Sequence, residues 1–239
     1  MRYAVISDIH SNLEAFVAVL AEIDKIGADG VICLGDIVGY GANPNECVEI
    51  IKNRRIFSLI GNHDKAACGL TEPYSFNSSA RRAALWTRDE LTPENIEYLR
   101  GLPDESAVHG FMLVHGAPSN PDKYILSEYE AAEEFPLLGE YRLCFFGHTH
   151  VRVFYTFMEG EVESSTAERS RLQADAKYLV NPGSVGQPRD QDPRAAFLII
   201  DEPGEIEFRR VDYPIEAAQK KIIECGLDRF LAERLSLGY

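Results

Sequence analysis

The sequence predicts a mixed α/β sandwich. In the first 60 residues, short apolar runs alternate with helical periodicity, an order typical of parallel strands joined by helices. After residue 110 the apolar runs follow one another closely, as in antiparallel strands. With 239 residues the chain is long enough to bury a large core, and we expect a single domain over residues 1–239.

The first three strands are predicted at residues 3–7, 31–34 and 56–60, and a helix is predicted in each interval. We expect the first helix to begin after Ser11, because Glu14 stands three positions later, as in a capping box. It is expected to end at Gly27. Asn43 and Pro44 indicate the start of the second helix, at its N-cap and first helical position.

Residues 65–110 interrupt this rhythm, and we interpret them as a helical cap or flank, with helices over 77–88 and from Thr92 to about 102. Residues 161–175 are polar and are interpreted as an exposed loop or irregular hairpin. One or two helices are predicted from Ile215 onwards. The later strands are predicted at residues 111–114, 143–146, 151–158, 178–180, 196–200 and 206–211.

Charge and composition narrow the classes of function. The formal net charge of −14 repels phosphate backbones and anionic membrane surfaces, so we expect neither nucleic acid nor a membrane as a partner. No apolar run approaches the length of a membrane span, and the first residues do not resemble a signal peptide. The five cysteines include no C-x-x-C pair, which favours reduced thiols and a cytoplasmic protein. The sequence does not indicate an oligomeric state.

Polar residues with metal-ligand side chains follow five of the apolar runs. Five of the six histidines are among them, and only His109 lies elsewhere. Because ligands bind beyond the carboxyl ends of strands in α/β sheets, we expect these side chains to meet in one crevice. The residues are Asp8, His10, Asp36, Asn62, His63, Asp64, His115, His148 and His150.

These donors predict a metal site. Residues two apart in an extended backbone point the same way, so Asp8 and His10 are expected to face one site together, as are His148 and His150. Carboxylate and amide oxygens combined with imidazole nitrogens suit Mn²⁺, Fe or Zn²⁺ better than Ca²⁺. Thiolates are absent from the set, which disfavours a structural zinc site. The set is too large for one ion and suffices for two ions that share a carboxylate.

The motifs in this set occur in a familiar order. D-x-H, G-D, G-N-H-D, H-G and G-H-T-H, between residues 8 and 150, together resemble the calcineurin-like metallophosphoesterases. The stretches GDIVGYGANPNECVEII and VNPGSVGQPRD are similar to the small bacterial and archaeal predicted phosphodiesterases of that superfamily. The resemblance extends to about residue 200, and every ligand position of the family pattern is filled.

The resemblance implies a four-layer α-β-β-α sandwich with two facing mixed sheets and a small helical flank. It also implies a dinuclear centre of two divalent metal ions, with Mn favoured over Fe, Zn or Ni. One ion would be held by Asp8, His10, Asp36 and His150, and the other by Asp36, Asn62, His115 and His148.

The function implied is that of a metal-dependent phosphodiesterase acting on a small phosphate ester, in which water is activated for in-line attack on phosphorus. His63 is the motif histidine that the family pattern does not assign to metal, and we expect it to act as the general acid. Asp64 either orients His63 or has an ordinary role at a helix start. A phosphomonoesterase of the same fold and a catalytically silent phosphate- or metal-binding scaffold stay open as alternatives.

Three further residues either reach the substrate or pack within loops, and the sequence does not decide between these roles. They are Tyr40, Asn181 and Arg189. Of the three, Arg189 is the candidate we single out for substrate binding, because an acidic protein needs local positive charge to bind a phosphate.

Overall fold

Side chains alternate along the first strand and define two faces of a sheet. Tyr3 and Val5 belong to one hydrophobic cluster, whereas Ala4 and Ile6 belong to another. Successive side chains of a strand point to opposite faces, so this sheet is covered on both sides. The computed structural model describes residues 1–202 and 204–239.

The strands of the described residues form two six-stranded mixed sheets. In chain order they are β1 (Arg2–Ile6), β2 (Gly30–Cys33), β3 (Phe57–Ser58), β4 (Glu105–Val108), β5 (Phe111–Val114), β6 (Leu143–Phe145), β7 (Val153–Met158), β8 (Glu161–Ser165), β9 (Arg169–Arg171), β10 (Lys177–Asn181), β11 (Ala195–Asp201) and β12 (Glu205–Val211). The first sheet has the order β3-β2-β1-β11-β12-β9, and the second has the order β4-β5-β6-β10-β7-β8.

Each sheet contains a parallel part and an antiparallel part. In the first sheet β1, β2 and β3 are parallel, and β11 pairs antiparallel with both β1 and β12. In the second sheet β5, β6 and β10 run parallel, and β7 pairs antiparallel with β10. The parallel strands place their carboxyl ends at one edge of each sheet, and this edge carries the polar residues singled out above.

The helices lie on the outer faces of the two sheets. They are α1 (Leu13–Ile26), α2 (Pro44–Arg54), α3 (Asn62–Ala67), α4 (Ser78–Glu90), α5 (Pro93–Arg100), α6 (Glu128–Glu134), α7 (Ile215–Glu224) and α8 (Arg229–Glu233), with 3₁₀ turns at Phe135–Leu138 and Arg234–Ser236. None of the helices in the described part of the chain has the length and hydropathy needed to cross a bilayer.

Three hydrophobic clusters separate the layers. The central cluster joins Val5 and Leu198 of the first sheet to Phe145 and Tyr178 of the second. A second cluster packs α1, α2, α7 and α8 on the outer face of the first sheet. A third packs α6 and the following 3₁₀ turn on the outer face of the second sheet. This α-β-β-α order confirms the predicted fold class.

The helix after β1 begins differently from the prediction. Its N-cap is Asn12, whose side chain accepts a hydrogen bond from the main-chain nitrogen of Ala15 at 3.1 Å. The predicted N-cap, Ser11, instead donates its main-chain N–H to the carbonyl of Ile37 at 2.9 Å and has a left-handed φ of 53°. This link to the segment after β2 removes Ser11 from the capping position. The predicted stop at Gly27 is confirmed, with a left-handed φ of 71°.

The central segments also differ in part from the prediction. Residues 65–110 contain α4 and α5, as predicted, and in addition β4, which pairs antiparallel with β5. The sequence analysis also missed α6. Residues 161–175 contain β8 and β9, which lie at the edges of different sheets, so this segment is neither a simple loop nor one hairpin. The exposed edge positions of these strands carry polar side chains, which hid their strand pattern.

Candidate metal centre

The predicted metal ligands all lie at the shared carboxyl edge of the two sheets. The first sheet supplies the donors that follow β1, β2 and β3, and the second supplies those that follow β5 and β6. They are Asp8, His10, Asp36 and Asn62 from the first sheet, and His115, His148 and His150 from the second. His109 lies at the other end of β5, in an exposed turn, where its ring stacks on Tyr3.

One group of four buried side chains converges on a single point. Ligand atoms of Asp8, His10, Asp36 and His150 all lie within 4.8 Å of one another. Nε2 of His10 is 3.0 Å from Nε2 of His150 and 3.5 Å from Oδ2 of Asp36. Nε2 of His150 is 3.4 Å from Oδ1 of Asp8. These spacings bring two nitrogens and two carboxylates to one small volume.

A second group shares Asp36 with the first. Ligand atoms of Asp36, His115 and His148 again lie within 4.8 Å of one another. Oδ2 of Asp36 is 3.4 Å from Nε2 of His115, and Oδ1 of Asn62 is 3.2 Å from the same nitrogen. The Asp36 carboxylate therefore stands between the two groups.

Main-chain carbonyls fix the protonation of three of these histidine rings. Nδ1 of His10, His115 and His150 lies 3.1, 2.9 and 2.6 Å from a carbonyl oxygen, respectively. A carbonyl can only accept, so Nδ1 carries the proton in each ring and Nε2 is directed into the cluster. The acceptors are the carbonyls of Val38, Leu34 and Gln187.

The donor set fits divalent cations. With the neutral tautomers just assigned, the lone pairs of His10 and His150 Nε2 face each other at 3.0 Å, which is unfavourable unless a cation or a proton lies between them. Oδ1 of Asp8 is buried without a hydrogen-bond partner, and Oδ2 of Asp36 is also buried without a hydrogen bond, although Nε2 of His115 lies 3.4 Å from it. A buried, unpartnered carboxylate oxygen costs free energy unless it meets a positive charge. Imidazole and carboxylate ligands together suit Mn, Fe and Zn.

The protonation of the first group reflects its burial. Burial raises the pKa of Asp8 to about 7, and the neighbouring Asp36 carboxylate acts in the same direction. Burial also holds the pKa values of His10 and His150 well below their usual range, so both rings are neutral, as metal ligands must be.

His115 behaves differently from the other cluster histidines. Burial lowers its pKa, but the Asp36 carboxylate outweighs this effect, and the pKa is about 9. The same pairing, assisted by His63, keeps the pKa of Asp36 well below its usual range in spite of burial. A metal that binds Nε2 of His115 must therefore displace a proton, and metal affinity at this group is expected to rise with pH.

The backbone of the cluster differs from the extended conformation assumed for D-x-H and H-x-H. Five of the seven predicted ligands have positive φ values of 48–66°, in the left-handed region. The argument from extended alternation was therefore wrong: Asp8 and His10 still belong to one donor group, but His148 and His150 belong to different groups. Such residues persist only where surrounding contacts hold them, and they concentrate at functional sites. They are Asp8, His10, Asp36, His148 and His150.

His63 lies beside the cluster at the start of α3. Its ring centroid is 4.9 Å from that of His10, 4.4 Å from that of Tyr40 and 4.6 Å from that of Phe76. The main-chain nitrogen of His63 donates to Oδ1 of Asp36 at 2.9 Å. Burial lowers the pKa of the imidazole to about 4. His63 is thus neutral at neutral pH in the protein alone, and it contacts the cluster without being part of either donor group.

The structure gives Asp64 and Asn181 roles in loop packing. Asp64 accepts hydrogen bonds from the main-chain nitrogens of Gly61 and Val38, both at 2.9 Å, and so caps the start of α3. This is the ordinary helix-start role left open above. The amide nitrogen of Asn181 donates to the carbonyl of Gly147 at 2.7 Å and thereby holds the loop before His148.

Two aromatic residues at the site, Phe76 and Tyr124, were missed by the sequence analysis. The ring of Tyr124 stacks on His148 with centroids 4.1 Å apart and ring planes inclined by 24°. Tyr124 is 42% exposed, so it lies on the solvent-facing side of the cluster. Tyr124 lies in a loop far from any strand end, and no local sequence signal distinguishes it from an ordinary surface tyrosine.

Comparisons with known proteins agree with this arrangement. Residues 1–203 match the family model described as the calcineurin-like phosphoesterase superfamily domain. The chain is 42% identical to the uncharacterized protein MJ0912 of Methanocaldococcus jannaschii, over 98% of this chain and 97% of that protein.

Solved structures of the same architecture also match the whole chain. A metallophosphoesterase from Sphaerobacter thermophilus is 39% identical and superimposes with a TM-score of 0.88, over 100% of this chain and 99% of that one. Protein PH1004 from Pyrococcus horikoshii OT3 is 22% identical and superimposes with a TM-score of 0.83, over 100% of this chain and 98% of that one. The second similarity shows the fold alone.

Proposed function

Because the chain belongs to the calcineurin-like phosphoesterase superfamily, we propose that it is a divalent-metal-dependent phosphodiesterase with a dinuclear centre and a small phosphate-ester substrate. One observation carries the proposal. The buried Asp36 carboxylate lies between two converging donor groups, with an oxygen that has no hydrogen-bond partner. A carboxylate in this position can serve two cations at once.

The seven donors divide between two ions in this proposal. Two divalent cations bound there would supply a water of lowered pKa and would offset the negative charge that develops on the phosphoryl oxygens. The first ion would be held by Asp8, His10, Asp36 and His150, and the second by Asp36, Asn62, His115 and His148. We favour Mn among Mn, Fe, Zn and Ni, all of which suit these ligands.

We assign proton donation to the leaving oxygen to His63. The imidazole is adjacent to the donor cluster, and Nδ1 is buried without a hydrogen-bond partner. Burial, together with the charges of Arg189 and His115, lowers its pKa to about 4 in spite of the Asp36 carboxylate, so it must gain a proton when the substrate binds. The negative charge of a phosphoester favours the imidazolium form and raises this pKa, in the same direction as the Asp36 carboxylate.

The preference for diesters is supported by the resemblance of the GDIVGYGANPNECVEII and VNPGSVGQPRD stretches to predicted phosphodiesterases. The experiment compares two substrates. Metal is removed from the purified protein, Mn²⁺ is restored, and hydrolysis of a bis-aryl phosphate is measured beside that of the matching aryl phosphate. We expect turnover that depends on Mn²⁺ and is faster with the diester. Faster turnover of the monoester would assign a phosphomonoesterase instead.

Variants test the assigned roles. Asp36→Asn is expected to lose bound metal and activity together. His63→Ala is expected to keep its metal and lose roughly 10²- to 10⁴-fold in turnover, the usual contribution of a general acid. His109→Ala is the matched control, since this histidine is exposed and lies at the other end of β5. Full metal loading with no hydrolysis of either ester would refute the proposal and favour a silent binding scaffold.

A further inference from the structure

Arg189 is anchored directly beside the donor cluster. Its main-chain nitrogen donates to the carbonyl of His150 at 3.2 Å. Its Nη2 donates to Oε1 of Gln187 at 2.9 Å and lies 3.5 Å from the hydroxyl of Tyr40. The carbonyl of Gln187 is the group that binds Nδ1 of His150. The guanidinium of Arg189 is therefore held at the rim of the first donor group.

A second arginine reaches the same region from the end of the chain. Arg234 begins the 3₁₀ turn Arg234–Ser236 that follows α8. The main-chain nitrogen of Gln191 donates to the carbonyl of Gly238 at 2.9 Å, and this bond fixes the final turn against the segment that follows Arg189. The guanidinium of Arg234 lies over the ring of Phe230, with Cζ 5.3 Å from the centroid, and it is half-buried.

These two cations are not compensated by acidic side chains. Among the described residues, no Asp or Glu carboxylate lies within 4.0 Å of either guanidinium, whereas nearby Arg194 pairs with Asp192 at 2.7 Å. Nε of Arg189 is buried without a partner, and Nε of Arg234 donates to the main-chain oxygen of Tyr239. Burial, assisted by the charge of Arg189, lowers the pKa of Arg234 to about 10. The final turn that carries Arg234 is bound to Gln191, two positions after Arg189, and like charges in one region favour the binding of an anion there.

We propose that Arg189 and Arg234 form an anion-binding subsite beside the donor cluster, and that this subsite takes a second phosphate group of the substrate. The proposal rests on the proposed function, which places the first phosphate at the cluster. Arg189 contacts the residues of the cluster, and the final turn that carries Arg234 is bound to Gln191. A second position for an anion beside the cluster fits a small molecule with linked phosphates better than a diester with two uncharged arms.

The chemistry of the two side chains supports this choice. Guanidinium groups present a planar fork of donors that matches two phosphate oxygens at once. The formal net charge of the protein is −14, so a doubly phosphorylated molecule is repelled over most of the surface. Arginines that have no Asp or Glu side chain as partner supply local attraction where the long-range field is unfavourable.

The first test measures binding without turnover. Inorganic phosphate is titrated into metal-free protein by calorimetry, so that the arginine pair is probed in the absence of cations. We expect Arg234→Gln to weaken binding roughly ten- to hundredfold, as for loss of a charge-assisted hydrogen bond. Arg229→Gln is the control: it makes the same change in net charge at a side chain that is 81% exposed and pairs with Glu233. Equal binding by the two variants would overturn the subsite.

The second test asks whether the subsite serves the substrate. In protein loaded with excess Mn²⁺, pyrophosphate and orthophosphate are compared as inhibitors of aryl diester hydrolysis. We expect the ratio of their inhibition constants to favour pyrophosphate in the wild type and to fall in Arg234→Gln but not in Arg229→Gln. An unchanged ratio would refute the role in holding a second phosphate, even if the first test succeeds.

The two proposals fail in different ways. If the loaded protein hydrolyses no ester, the proposed function fails, while phosphate binding by the metal-free protein still decides the anion subsite. Arg234→Lys is a second variant in case Arg234→Gln does not fold, because it keeps the positive charge and loses only the planar guanidinium group. We expect Arg234→Lys to bind phosphate with intermediate affinity. Binding by this variant as weak as that of a correctly folded Arg234→Gln would count against a charge-based subsite.

Discussion

Gly61→Ala is expected to disrupt the metal centre although glycine is not a ligand. Gly61 precedes α3 with a φ of −94°, a value that alanine adopts without strain. A Cβ built at this position overlaps the carboxylate of Asp36 and lies 2.7 Å from its Cγ. Since carbon atoms normally approach to about 3.5–4.0 Å, Asp36 must move by on the order of 1 Å.

The displacement affects the residue that both donor groups share. Asp36 is 1% exposed and its Oδ1 accepts the main-chain N–H of His63 at 2.9 Å, so it has little room to adjust. We expect metal affinity to fall by at least about 10- to 100-fold, the usual cost of disturbing the support of a ligand. Overpacking a buried site should also reduce the free energy of unfolding by about 1–3 kcal/mol.

Metal content and thermal unfolding measure these effects separately. In a chain of this size each kcal/mol corresponds to a shift of roughly 2–4 °C in Tm. Gly101→Ala is the matched control, because its φ of −84° is also compatible with alanine and its nearest atoms lie at an ordinary 3.5 Å. The reasoning would be refuted if Gly61→Ala bound metal as tightly as Gly101→Ala.

Three further predictions follow from other contacts. In Gly39→Ala, the new Cβ lies 2.7 Å from Nδ1 of His63, and residue 39 has a φ of +96°. Because His63 must move, turnover should fall roughly 10²-fold while the metal content is kept. Loss of metal in this variant would contradict the prediction. Removal of metal by a chelator should lower Tm. Mn²⁺ at about 100 times its Kd should restore about 2.7 kcal/mol of unfolding free energy. An unchanged Tm after chelation would refute metal binding at the cluster. The hydrogen bond from Arg194 lowers the pKa of Asp192 to about 2, from 3.8. A carboxyl group whose pKa is lowered in the folded state stabilises the fold at pH values above its pKa in the unfolded chain. This contribution is lost as the pH falls through the pKa of the folded state, so the urea midpoints of wild type and Asp192→Asn should differ at pH 7 and converge between about pH 4 and 2. A difference that stays constant with pH would exclude the pair of Asp192 and Arg194 as its cause.

The location of the donors could be predicted from the sequence because it depends on local pattern. Apolar runs mark the buried strands, and the polar residues that follow them are carried to one edge by parallel pairing. The left-handed backbone of Asp8 and His10 could not be predicted in this way. Their main-chain nitrogens donate to the carbonyls of Gly35 and Asp36 at 3.1 and 2.9 Å, and these contacts exist only once two strands are paired.

Other parts of the site depend on contacts between distant segments. Tyr124 reaches His148 from a loop, and the last turn of the chain, which carries Arg234, is bound to Gln191 near Arg189. No periodicity or motif connects these pairs in the sequence. The roles of the metal ligands and of His63 stay predictions until metal content and turnover are measured.

The division of the donors between two sheets has a consequence for folding kinetics. Four donors follow strands of the first sheet and three follow strands of the second, so neither sheet alone carries the full set. A folding intermediate with only the first sheet formed would lack one of the four ligands proposed for the first ion and two of the four proposed for the second. Complete coordination therefore requires both sheets, and we expect bound metal to slow unfolding more than it speeds refolding. A bound ion would then connect the two sheets through its ligands, and the lifetime of the native state would depend on the supply of metal.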